Sequence, residues 1–134
     1  MEFADLLSFF KERMAQAYTE QIWAVTLMGS MNAFVILNAA KLAERRTKLL
    51  SWGVGIGALC AILFIWSRQG IFQYYNALAK KMIAEHAPVT LPDPTWIQAA
   101  ASKAVGWSGV LLYSLVVAGM TWASLRVLKK KKKQ

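Results

Sequence analysis

Apolar and polar positions in this chain are segregated into blocks. Three apolar blocks, residues 23–40, 49–66 and 104–125, contain no Asp, Glu, Lys or Arg. The hydrocarbon core of a bilayer is about 30 Å thick and a helix rises about 1.5 Å per residue, so about 20 mostly apolar residues cross it. All three blocks satisfy this. The pattern predicts an all-α integral membrane protein with three transmembrane helices, joined by a loop over 41–48 and a longer connection over 67–103, together making one domain over 22–128.

Different periodicities precede and follow these blocks. Phe3, Leu6, Leu7, Phe10, Met14 and Ala17 recur at helical spacing with Glu2, Asp5, Glu12 and Arg13 between them, which predicts an N-terminal amphipathic interfacial helix over 1–21. Its two resting places are the outer membrane surface and the flank of a neighbouring subunit. After Gly70, a second stripe of Phe72, Tyr75, Ala79, Met82 and Ile83 extends the second span outward until Pro88, Pro92 and Pro94 end it. Asp93-Pro94 has the form of an N-cap followed by proline at the first helical position, where the missing N–H costs nothing. The expectation is an extracytoplasmic helical hairpin extension of spans two and three, turning near residues 86–93. A kink at Gly70, laying 71–86 on the membrane, is the alternative.

Composition sharpens this picture. With 57% hydrophobic residues over 134 positions, the loops are too short for a separate globular core. Cys60, the only cysteine, excludes an intramolecular disulfide. Sixteen Lys and Arg against seven Asp and Glu give a formal charge of +9, and Arg126, Lys129, Lys130, Lys131, Lys132 and Lys133 supply six of those cations at the C-terminus. A polybasic segment of this kind just after a span is read as contact with anionic lipid head groups rather than nucleic acid. Lys41, Arg45, Arg46 and Lys48 fall between the first two spans, so both basic segments share one side. The positive-inside rule then places the N-terminus out and the C-terminal tail, 129–134, in the cytoplasm, with a bacterial inner membrane the expected location. Charges scattered through residues 1–21 argue against a cleaved signal peptide. Trp23, Trp52, Trp66, Trp96 and Trp107 lie near span ends or in the outer connection, as depth markers do.

Two features bear on assembly. Gly53, Gly57 and Ala61 repeat every four residues, and Gly119 with Ala123 gives a shorter version in the third span; such stripes let helix backbones approach closely. Intramolecular packing and homo-oligomerisation both satisfy them. Thr26, Ser30, Asn32 and Asn38 make the first span unusually polar. An amide in hydrocarbon needs a partner, so Asn32 is expected to bond across helices or to line a wet cavity.

Chemistry is harder to find. Gly53, Gly55 and Ala58 match a dinucleotide fingerprint in spacing but lack the strand that it requires. His86, Glu85 and Asp93 do not have a spacing that enforces a metal site, and no P-loop, HExxH, CxxC or GxSxG is present. The reading is therefore no enzyme, no catalytic residues, no cofactor and no metal. In size, three-span layout and Lys-rich tail the chain is similar to class I phage holins, whose resemblance implies an oligomeric lesion in the inner membrane; the long connection over 67–103 departs from their compact pattern. Three functions follow in order of preference. The first is an accessory or scaffold subunit of a larger membrane-protein complex, the second an oligomeric pore or toxin effector, and the third a small-solute channel or transporter component.

Overall fold

A computed structural model describes the backbone of residues 2–44, 47–86 and 96–133, and the side chains of these except residues 86 and 96–106. It contains four helices, α1 (Phe3–Leu37), α2 (Ala39–Ala43), α3 (Thr47–His86) and α4 (Trp96–Lys133), and no strand among the described residues. Three segments, Phe3–Leu37, Thr47–Glu85 and Trp107–Lys133, are long and apolar enough to cross a membrane. The all-helical class and the number of candidate spans match the sequence reading.

The helices outrun the apolar blocks. At about 1.5 Å per residue, the 35, 40 and 38 residues of α1, α3 and α4 reach about 53, 60 and 57 Å. No break separates the amphipathic segment from the first span, and α3 passes Gly70 without interruption. Both observations have one cause: the stripes on either side of these points belong to the same continuous packing seam.

That seam has a period of about 3.5 residues. Phe10, Met14, Ala17, Gln21, Ala24, Met28, Met31 and Val35 in α1, spaced alternately four and three apart, are buried or half-buried. Val54, Ala58, Ala61, Ile65, Arg68, Phe72, Tyr75 and Ala79 repeat the pattern in α3, and Val110, Ser114, Val117, Thr121, Ser124 and Leu128 in α4. A 3.5-residue repeat keeps one face turned toward a neighbouring helix and gives left-handed supercoiling. α1 and α3 run antiparallel, as shown by the pairing of Gln21 with Gln69 near one end and of Met31 with Gly57 further along.

Met28, Ala58, Ile65, Val110 and Val117 form the central core, and Val35, Ala39, Val54 and Leu128 a second cluster toward the end where α1 stops. α1 stops at Asn38. Its side-chain Nδ2 donates to the Phe34 carbonyl at 2.9 Å and its backbone N–H donates to the same oxygen at 3.1 Å, while α2 starts from the Asn38 carbonyl. A short amide side chain competes in this way for backbone partners. The first helix thus closes three residues before the expected 40, and α2 occupies the start of the expected loop. Pro88, Pro92, Asp93, Pro94, Arg45 and Arg46 lie outside the described residues, so the hairpin turn and its cap do as well.

Candidate functional site

Large apolar side chains stand exposed over one band of the bundle. Trp23, Leu27, Phe34 and Leu37 of α1, Leu49, Trp52, Ile56, Leu59 and Leu63 of α3, and Leu111, Leu112, Leu115 and Trp122 of α4 are all more than half exposed. In water such a surface aggregates; in a bilayer it is the ordinary outer face of a span.

The upper edge of the band carries a polar layer. Gln21 Nε2 donates to Gln69 Oε1 at 3.1 Å, both residues buried, and one residue earlier on each helix Glu20 and Arg68 form an ion pair at 2.9 Å. The Arg68 guanidinium also lies 4.7 Å above the Phe64 ring. Trp66 stacks on Trp107 at 5.4 Å and its indole N–H donates to Ser114 Oγ at 3.0 Å. Beyond this layer the N-terminal half of α1 packs along the C-terminal half of α3, with Phe9 and Phe10 against Tyr75 at 6.3 and 5.7 Å. The amphipathic stripe thus meets α3 through Phe10, and Ala17 further along it is buried as well.

The polar residues of the first span separate into two sets. Asn32, 1% exposed, accepts a 2.6 Å hydrogen bond on Oδ1 from Ser124 Oγ of α4, and its Nδ2 donates to the Met28 carbonyl at 2.8 Å. Asn32 therefore joins α1 to α4 inside the core. Thr26 and Ser30 point outward, and Ser30 Oγ donates to the Thr26 carbonyl at 3.0 Å. Asn38 sits at the helix end. Sequence reasoning missed Gln21, Gln69, Thr121 and Ser124, all buried polar residues; the place of Gln21, Thr121 and Ser124 on the seven-residue repeat is the signal that marks them, and Gln69 lies one residue off it beside Arg68.

The small-residue stripe is likewise divided. Ala61 packs against the core, and a Cβ added at Gly57 would meet Met31 Cε at 3.4 Å, whereas one added at Gly53 or Gly119 meets nothing within 4 Å. Ala123 is half-buried on α4. The open part of the stripe floors a lipid-facing groove between α1 and α3. Trp23, Leu27 and Phe34 form one wall, Gly53, Gly57 and Cys60 the other, and the two hollows flanking Met31 have volumes of about 510 and 570 Å³. At the far end of the bundle Lys41, Lys48 and Lys129 to Lys133 are exposed together, and Arg126 lies 5.1 Å over the exposed Trp122 ring. No three His, Cys, Asp or Glu side chains gather among the described residues.

Fold and groove define a class, a three-helix bundle with spans longer than a bilayer and an open small-residue groove on its lipid face. In comparison with known proteins, the chain matches no family model, no curated protein and no solved structure.

Proposed function

We propose that this chain is an accessory or scaffold subunit of a larger membrane-protein assembly, acting through helix packing and not through chemistry. The observation that carries the reading is the groove between α1 and α3. Small residues on an outward face expose backbone that lipid covers poorly and that another helix covers well, since close approach restores the dispersion contacts missing there. The occupant is a span of a partner subunit or of a second copy. In this reading the bundle sits in a bacterial inner membrane with Lys41, Lys48 and the tail cytoplasmic, and the parts of α1 and α3 beyond the Gln21–Gln69 layer project outside as a second contact surface.

Gly53→Leu tests it. Because a Cβ added there meets no neighbour within 4 Å and a helix-interior glycine costs about 1 kcal/mol relative to a good helix former, helicity should be kept and detergent stability should hold or rise by up to about 1 kcal/mol. Co-purification of the membrane partner, or the dimer band on crosslinking, should fall at least several-fold. Unchanged association with an intact fold would refute the groove as the contact.

The pore reading retains one supporting observation, the outward-facing hydroxyls of Thr26 and Ser30. In an oligomer these would line a lumen between copies. Against it, Ser30 already bonds to its own helix backbone, so the hydroxyl needs no water. Rapid depolarisation of cells on induction, abolished by Ser30→Leu, would favour the pore over the subunit.

A further inference from the structure

At the basic end of the bundle, α3 and α4 form a hollow of about 330 Å³ lined by Lys48, Lys129 and Lys132 above Thr47, Ser51 and Trp52. It opens into a second, almost wholly apolar hollow of about 360 Å³, which shares Ser51 and Trp52 and continues along α3 past Gly55, Ile56 and Leu59. We propose that this pair of hollows is a binding site for one anionic phospholipid, the phosphate held among the three lysines and an acyl chain lying along the Gly55 groove.

Three observations converge on this ligand. The lysines come from two helices: Lys48 opens α3, while Lys129 and Lys132, three apart, share a face of the last turns of α4. None of the three is paired with a carboxylate among the described residues. Three unpaired cations around one hollow favour an anion there, and basic pockets between spans at a membrane face are where anionic head groups bind. Next, Trp52 stands 71% exposed at the junction, the depth at which an indole bridges head group and acyl region. Finally, a Cβ added at Gly55 would meet nothing within 4 Å, so the missing side chain leaves a trough in a ridge otherwise formed by Trp52, Ile56 and Leu59. A soluble phosphate would use the lysines and leave the trough idle. Both parts are used by a lipid alone. The site is separate from the α1–α3 groove, so a lipid and a partner helix do not compete for it.

Native mass spectrometry of the full chain in detergent, titrated with phosphatidylglycerol or phosphatidylcholine, provides the test. One phosphatidylglycerol should be retained in preference to phosphatidylcholine. Lys48→Gln/Lys129→Gln/Lys132→Gln should weaken its retention by roughly a hundredfold, taking the usual surface attraction per lysine. Lys130→Gln/Lys131→Gln/Lys133→Gln, which removes equal charge outside the hollow, should change it by less than a factor of about three. Gly55→Leu, leaving the charge untouched, should also lose the lipid. All variants lie at exposed or open positions, and circular dichroism checks that each remains helical. Equal loss in the two lysine triples would overturn the proposal in favour of diffuse surface attraction. Equal retention of the two lipids, or full retention by Gly55→Leu in a helical protein, would overturn it as well.

Discussion

Among individual residues, Asn32 has the most to lose. Its amide lies in the core with 1% exposure, and Ser124 at 2.6 Å is the side chain from another helix that satisfies it. Hydrogen bonds between spans contribute about 0.6 kcal/mol on average and up to about 1.7, because the unfolded span also finds partners. A double-mutant cycle of Asn32→Ala and Ser124→Ala, read by SDS-titration unfolding in mixed micelles, should therefore give a coupling of about 1 kcal/mol. Additive losses would mean that the two groups do not meet. The sequence marked Asn32 as needing a partner. It did not identify Ser124, since 92 residues separate the two and only a faint seven-residue repeat singles that serine out.

Individual helices raise the question of continuity. Gly70 lies exposed within α3, five residues after the buried Ile65, and the helix runs on to His86. A glycine in a helix interior costs about 1 kcal/mol relative to alanine when no special conformation is needed. Gly70→Ala should accordingly stabilise the protein by about 0.5–1 kcal/mol in the same unfolding assay, there being open space for the methyl group. Destabilisation would show that residue 70 bends in the bilayer. Continuity also explains why residues 1–21 looked like a separate amphipathic element. Their outer face is charged and exposed and their inner face meets α3, whereas one turn further along both faces are apolar, so the pattern changes while the helix does not.

For the molecule as a whole, the charges settle at one end. Lys41, Lys48 and the Lys129–Lys133 run are exposed together where α1 ends, α3 begins and α4 ends; the ends with Phe3 and His86 carry no comparable cluster among the described residues. Positive residues resist translocation, so the basic end should face the cytoplasm. In a Cys60→Ala background, cysteine at Ala84 should react with an impermeant maleimide in intact cells, and cysteine at Lys48 only after permeabilisation. The reverse pattern would invert the proposed topology.

Sequence by itself determined the helical class and which segments are apolar enough to cross a membrane. Blocks of apolar residues without charge over that length call for lipid rather than water, so the all-helical class, the number of candidate spans and the basic end were all legible. What it left open was which face of each helix turns inward. In a soluble protein hydrophobicity points to the core, but here lipid and core are equally apolar, so inward positions are distinguished only by a faint seven-residue repeat of small and polar residues such as Ala17, Gln21, Ala58 and Ser124. Tertiary packing alone decided that Gly57 packs close to Met31 while Gly53 stays open, and that Lys48, Lys129 and Lys132 line one hollow, because these depend on the register between helices that no local pattern encodes.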